Sequence, residues 1–430
     1  MKFSLRHQST GKTYRYVSQI ATTMFYGLCR KVYLHHMKGV PPDRPVLLAA
    51  NHPTAFVDPC LLCTYLDPPI YNMTRGDVFS KPFFRRLMEE VNMFPVYRLR
   101  DGYAGRDRND EVFEFCIDKM RSRRVVTIYV EGEHHLEKRV RPVQKGIARI
   151  AFAAYERHRQ DDLQIIPAGC NYAYGDRARD EVMVNIGSPI LVKDYWEEYG
   201  RDAAAAMQRL CSDVEKALST VCFHVEEPED DELAEQLLAL DRGNHPEPLL
   251  PVIVRHSGRF AREKAVLDRL NALPAVGKNA LRERSARYFD ALEKAGLDDA
   301  ALANPQRANL LWLLFFVAAS LPALIGWLGA WPVSRLSNYV AAAKVRKREF
   351  YSSVLMGVGF LAGVPYYFLL FLISLFTLNP FLIAIGLMLP LLGWFSLLYG
   401  DWWERWQLAR RAAAHPDRAV LLELRQVAAG

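Results

Sequence analysis

Charge is missing from two long stretches of this 430-residue chain. Residues 308–334 hold no Asp, Glu, Lys or Arg, and neither do residues 351–400. Each stretch exceeds the ~20 apolar residues that cross a bilayer core, so membrane segments are expected in the C-terminal third. Cysteine is scarce as well. The seven residues Cys29, Cys60, Cys63, Cys116, Cys170, Cys211 and Cys222 follow neither a disulfide framework nor a zinc spacing. Cys60 and Cys63 form a lone C-x-x-C in an apolar stretch and read as one helical face rather than a redox pair. The polar first twenty residues lack an apolar signal-peptide core. With thiols that fit a reducing compartment, the charged part of the chain is expected to face the cytoplasm. No aromatic-interleaved basic stripe is present, and a net charge of +7 is mild. These features argue against nucleic acid and suit anionic headgroups or a phosphate-bearing substrate.

The rest of the chain reads as a charged, folded domain. Residues 14–32 have helical spacing with one apolar face. Short apolar bursts bounded by turn residues predict strands over residues 46–50, 125–130, 165–168 and 182–186. Helical patterns separate them at 59–65, 83–91, 110–122 and 146–158. The alternation implies an α/β domain over residues 1–225, with a mostly parallel sheet flanked by helices. A helical linker region is expected over 226–305, then membrane segments over 306–400 and a cytoplasmic tail over 401–430. Lys344, Arg346, Lys347 and Arg348 precede the second uncharged run, and Arg405, Arg410 and Arg411 follow it. The positive-inside rule puts both clusters on the cytoplasmic side. Residues 351–378 and 380–400 then form a spanning hairpin. Pro322 and Gly326 interrupt the first run, and residues 308–334 are expected to be shallow or re-entrant.

The most informative local stretch is Asn51-His52-Pro53-Thr54-Ala55-Phe56-Val57-Asp58-Pro59, directly after a predicted strand. A histidine at a strand end suits a general base, and a carboxylate beside it would set its tautomer. The competing reading makes Asp58 a helix N-cap, Pro59 the first helical residue and His52 a structural loop residue. Arg141 and Lys145 lie in a basic loop just before the 146–158 helix. That loop reads equally as an anion site at a helix N-terminus or as a solvated surface. His134 and His135 sit beside Glu131 and Glu133, but adjacent side chains diverge in extended chain, which disfavours a metal.

The Asn51–Asp58 stretch resembles the first motif of the glycerolipid acyltransferase family, N-H-x(4)-D, with five residues here between His52 and Asp58. Three more blocks resemble the family's in order: Lys81-Pro82 through Phe94-Pro95-Val96-Tyr97-Arg98, then Tyr129-Val130-Glu131-Gly132-Glu133, then Ile166-Pro167-Ala168-Gly169. In the third block Val130 replaces the usual Pro and Glu133 the usual Thr or Ser. The resemblance covers roughly residues 33–190. It implies acyl transfer from a thioester donor, acyl-CoA or acyl carrier protein, to glycerol 3-phosphate or its 1-acyl form. His52 is then the base and Asp58 its partner, while Arg98, Glu131 and Gly132 serve the acceptor's phosphate end. No metal or other cofactor is expected. The expected partners are membrane phospholipid or lysolipid, at the cytoplasmic face of an inner membrane. Two alternatives stay open: a non-catalytic lipid-binding protein on the same fold, and a metal-dependent hydrolase.

Overall fold

The structure is a computed structural model that describes residues 12–80, 82–96, 104–306 and 310–429. The chain divides into two compact units. The first comprises most of the chain up to Phe223, with Val254–Ser257; the second takes Tyr26–Lys31, His224–Ile253 and Gly258 onward.

Among the described residues nine strands form one sheet: β1 (Cys29–His35), β2 (Val46–Ala50), β3 (Ile70–Arg75), β4 (Met93–Val96), β5 (Val125–Tyr129), β6 (Gln164–Tyr172), β7 (Asp180–Ile186), β8 (Ile190–Leu191) and β9 (Ile253–Arg255). The order is β4-β3-β5-β2-β6-β7-β1-β9, with β8 on β6. The middle is parallel: β2 pairs β5 from Val46 opposite Val125, and β6 from Val46 opposite Gln164. β7 turns antiparallel against β6. Every residue of β2 and β6 is buried. That fits parallel strands covered on both faces, whose sequences are apolar runs rather than alternations.

Helices of this unit are α1 (Lys12–Leu28), α2 (Val57–Tyr65), α3 (Pro82–Glu90), α4 (Ala104–Arg121), α5 (Gly146–His158), α6 (Trp196–Arg201) and α7 (Ala203–Val221). The main core joins Leu47, Val126 and Ile165 of the sheet to Cys116 and Met120 of α4, Ala148 and Phe152 of α5, and Leu210 and Val214 of α7. The α/β architecture matches expectation, with two local corrections: β9 lies inside the 226–305 stretch expected to be helical, and the first helix is shorter than read. The helix read over residues 14–32 ends at Leu28, and Cys29 onward is strand. The run Cys29-Arg30-Lys31-Val32-Tyr33-Leu34 carries a β-branched and an aromatic residue that serve sheet pairing as well as a helical face.

The second unit holds α8 (Asp231–Asn244), α9 (Arg259–Ala272), α10 (Ala275–Ala295) and α11 (Asp299–Ala303). Three long apolar helices follow, α12 (Leu310–Lys344), α13 (Tyr351–Phe376) and α14 (Pro380–Ala414), then α15 (Arg418–Ala429). The apolar three are long and hydrophobic enough to cross a membrane. Leu240, Tyr288, Leu292, Leu302, Ala412, Leu421 and Ala428 form one core that ties α8, α10 and α11 to the end of α14 and to α15. Asp230, in the acidic stretch before α8, is buried and ion-paired to Lys278 at 2.7 Å and Arg282 at 2.8 Å.

Glu263 of α9 is fully buried between Arg242, at 2.8 Å, and Arg259, at 2.6 Å. Burial alone would raise its pKa, but the two guanidiniums outweigh it and hold the carboxyl at about 2. A depressed carboxyl contributes stability above its unfolded value of 4.5, and that contribution is lost as pH falls toward about 2. Glu263→Gln removes the buried carboxylate shared by Arg242 and Arg259 and is expected to cost the second unit about 3–5 kcal/mol. Thermal melting in detergent checks this: the wild type should lose stability between about pH 4.5 and 2, and the variant should show little of that acid sensitivity.

Candidate active site

The parallel strand β2 ends at Ala50, and the chain leaves the sheet through Asn51 and His52. Asn51 is buried and bonds across to β6, its side-chain oxygen accepting from Cys170 N at 2.7 Å and its amide donating to Cys170 O at 3.0 Å. The Asn of the motif therefore ties the departing loop to the next strand. His52 follows at once, with Nδ1 2.9 Å from Asp58 Oδ2. Contact with a carboxylate places the proton on Nδ1 and leaves Nε2 as the basic nitrogen.

The five-residue gap closes without loss of the pair because Asp58 is held from several sides. Its Oδ2 also accepts from Thr54 N at 2.8 Å, and its Oδ1 accepts from Thr54 Oγ1 at 2.9 Å and from Tyr172 Oη at 2.5 Å. Burial and the adjacent Asp58 carboxylate raise the Tyr172 phenol well above its ordinary pKa, so it remains a donor. Asp58 is not the N-cap considered above. Helix α2 begins at Val57, Phe56 is the N-cap, and Asp58 lies in the first turn with its carboxylate turned back to the loop. Both carboxylate oxygens are engaged by the loop and by β6, so the side chain holds the imidazole instead of capping the helix.

The His52 ring lies flat on Tyr129, centroids 3.7 Å apart and planes 16° apart, and His134 meets it edge-on at 4.1 Å. This packing leaves the imidazole little rotational freedom. Glu131 is 8% exposed and faces inward. Its Oε1 accepts from Arg141 N at 2.9 Å, and its carboxylate also takes the backbone N–H of His52. Burial pushes this carboxyl up, against the pull of those two N–H groups. Glu131 thus braces the histidine loop and the basic loop together, which differs from direct contact with an acceptor. Gly132 turns the chain at φ +76°, a left-handed conformation that favours glycine. Gln144 N returns to Val130 O at 2.8 Å, closing the loop and setting Lys145 immediately before α5.

The structure brings His52, Asp58, Glu131, Gly132 and the Arg141 backbone into one bonded assembly. The Arg141 guanidinium instead pairs with Glu137 at 3.6 Å. Arg98 and Lys81 lie outside the described residues. Among the described residues no cluster of three His, Cys, Asp or Glu side chains has metal-binding geometry. Motif reading missed Tyr172, Thr54 and Tyr129. Tyr172 sits only three residues beyond Ile166-Pro167-Ala168-Gly169 on β6, and its alternation with buried Cys170 was the signal available.

The acyltransferase family model matches residues 31–171. That stretch, about a third of the chain, is similar to an acyltransferase domain. Glycerol-3-phosphate O-acyltransferase 2 of Saccharomyces cerevisiae is 25% identical over 120 residues, covering 28% of this chain and 16% of that protein. Glycerol-3-phosphate O-acyltransferase 1 of the same yeast is 26% identical over 125 residues, with the same coverage of 28% and 16%. An uncharacterized acyltransferase of Schizosaccharomyces pombe is 23% identical over 237 residues, 52% of this chain and 33% of that one. The chain thus spans well under half the length of the curated relatives it matches. A crystal structure of the 1-acyl-sn-glycerophosphate (LPA) acyltransferase PlsC from Thermotoga maritima overlaps 48% of this chain and 78% of its own, with 13% identity and a TM-score of 0.37.

Gly132→Ala forces a Cβ into left-handed backbone and is expected to destabilise the acyltransferase domain by about 1–2 kcal/mol. A lowered melting temperature with an intact sheet signal by circular dichroism would bear this out. Tyr172→Phe removes one donor to a buried carboxylate at nearly constant volume. About 1.5–3 kcal/mol of hold on Asp58 should go with it, seen as a lower turnover number with little change in KM.

Proposed function

We propose that the protein transfers a fatty acyl group from an acyl thioester to a hydroxyl of glycerol 3-phosphate or 1-acylglycerol 3-phosphate. The observation that carries this reading is the closed His52–Asp58 pair, with Nδ1 committed to the carboxylate and Nε2 left as a base. The acceptor hydroxyl gives its proton to Nε2 while its oxygen attacks the thioester carbonyl. The tetrahedral adduct collapses, the C–S bond breaks, and the thiolate takes the proton back from the imidazolium. An ester and a free thiol result, so atoms and protons balance without a covalent enzyme intermediate. Asp58, shielded from water, steadies the imidazolium while it exists.

Acceptor phosphate recognition is assigned to the basic loop, with Lys145 just ahead of α5 and Arg141 beside Glu131. A lysine and a helix N-terminus suit a phosphate dianion. Glu131 acts as a brace for that loop, since a carboxylate repels phosphate. Arg98 remains the family-implied contact. The apolar helices support a lipid acceptor or product, because molecules carrying one or two acyl chains reside in the bilayer.

Transfer of labelled acyl-CoA to glycerol 3-phosphate and, separately, to lysophosphatidate by the detergent-solubilised protein tests the proposal. Removal of the base in His52→Ala is expected to cost about 10²–10⁴ in rate. Asp58→Asn should fall in the same range, because it abolishes the carboxylate that sets the tautomer. Undiminished transfer by a folded His52→Ala would sink the base assignment.

A further inference from the structure

Three helices of membrane-crossing length separate α11 from α15, yet the second unit packs α11 and α15 together. Arg425 of α15 grips Asp299 of α11 through Nε at 2.7 Å and Nη2 at 3.0 Å, and Nη2 also bonds Asn244 of α8 at 2.8 Å. Tyr288 of α10 donates to the same Asp299 carboxylate at 2.5 Å. Leu421 and Ala428 share a core with Tyr288, Leu292 and Leu302. At the foot of the apolar helices Gln306 N donates to Ala409 O at 3.2 Å. The chain therefore enters and leaves the apolar region at one place. A chain whose two ends lie on the same side of a bilayer has crossed it an even number of times, so three crossings are incompatible with this packing.

We propose that α13 and α14 make the two crossings and that α12 does not cross. Charge selects this pair. Their connecting turn, Thr377-Leu378-Asn379, is uncharged and is flanked by Phe376, 87% exposed, and Phe381, 71% exposed. The other loop carries Arg346, Lys347 and Arg348 next to Lys344. Crossing with α12 and α13 instead would move four cations through the membrane and leave the uncharged turn behind, against the positive-inside rule.

Packing along the helices agrees. α13 and α14 run antiparallel: a Cβ at Gly386 would meet Ser374 Oγ at 2.5 Å, and one at Gly393 would meet the Tyr367 hydroxyl at 3.1 Å. α12 runs antiparallel to α14 as far as Gly329. A Cβ at Gly326 would lie 1.9 Å from Leu392 O, and one at Gly329 2.8 Å from Leu389 Cδ1. Straight continuation would carry Val333 down toward the Thr377–Asn379 turn. Val333 and Ser337 instead lie against Gly363 and Gly359 of α13, about two to three turns back toward the basic loop. Pro332 stands between these two sets of contacts, and proline inside a helix removes a backbone bond and favours a bend. The first apolar run was expected to break at Pro322 and Gly326; it is instead one continuous helix, Leu310–Lys344, with Pro322 and Pro332 inside it.

Single cysteines at Glu283, Ala343, Leu378 and Val427 in the full-length chain, probed with a membrane-impermeant maleimide in sealed vesicles, test the topology, with wild-type labelling as background and detergent-opened vesicles as the control for reactivity. The expected result is that positions 283, 343 and 427 label from one side and 378 from the other alone. Position 343 labelling opposite to 283, or position 427 labelling opposite to 283, overturns the proposal. The outcome is independent of acyl transfer, so an inactive preparation does not obscure it.

Discussion

One buried carboxylate organises the candidate active site. Asp58 has no exposed surface, and an ionised carboxylate in such a place is tolerated only if its oxygens are filled by donors. Here four donors serve it: a backbone N–H and hydroxyl from Thr54, the Tyr172 phenol and the His52 imidazole. Three of these come from the loop and β6, and the fourth is the proposed base. The arrangement turns a solvation requirement into orientation, because the imidazole becomes the donor that completes a set already in place.

The sheet makes that requirement possible to meet. Asn51 locks the end of β2 to β6, and Tyr172 stands at the far end of β6 itself. The two strands that bracket the pair are hydrogen-bonded to each other along Val46–Ala50. Asp58 is thus fixed by the same backbone ladder that presents His52. Glu131 extends the network from the end of β5, holding the His52 and Arg141 backbones at once. A histidine on a loop gains the rigidity of a parallel sheet through the side chains bonded around it.

The second unit solves a different problem with the same economy of buried charge. Asp299 between Tyr288 and Arg425 fastens helices from before and after the apolar region, and Glu263 between Arg242 and Arg259 fastens α9 to α8. Such pairs contribute less to net stability than to the choice of one arrangement over others. In the second unit, that choice packs α15 against α10 and α11.

Composition and local pattern by themselves determined the class of protein. Uncharged runs implied membrane helices, VLLAA and VVTIY implied buried parallel strands, and the spacing of four blocks implied an acyltransferase. These features are local, and short-range periodicity or a motif records them directly. The helix-to-strand change at Cys29 was not legible, because the residues there suit either state and sheet pairing decided between them. Only tertiary structure showed that five residues between His52 and Asp58 still close the pair. That closure depends on Tyr172, 114 positions from Asp58, and no local pattern carries a contact of that range. The even number of crossings proposed above could be expected from the charged loops of the sequence, but the contact that supports it could not. Hydropathy counts helices one at a time, whereas the packing of α15 on α10 and α11 is a contact between distant parts of the chain, made by the burial of Leu421 and Ala428 and the pairing of Arg425 with Asp299.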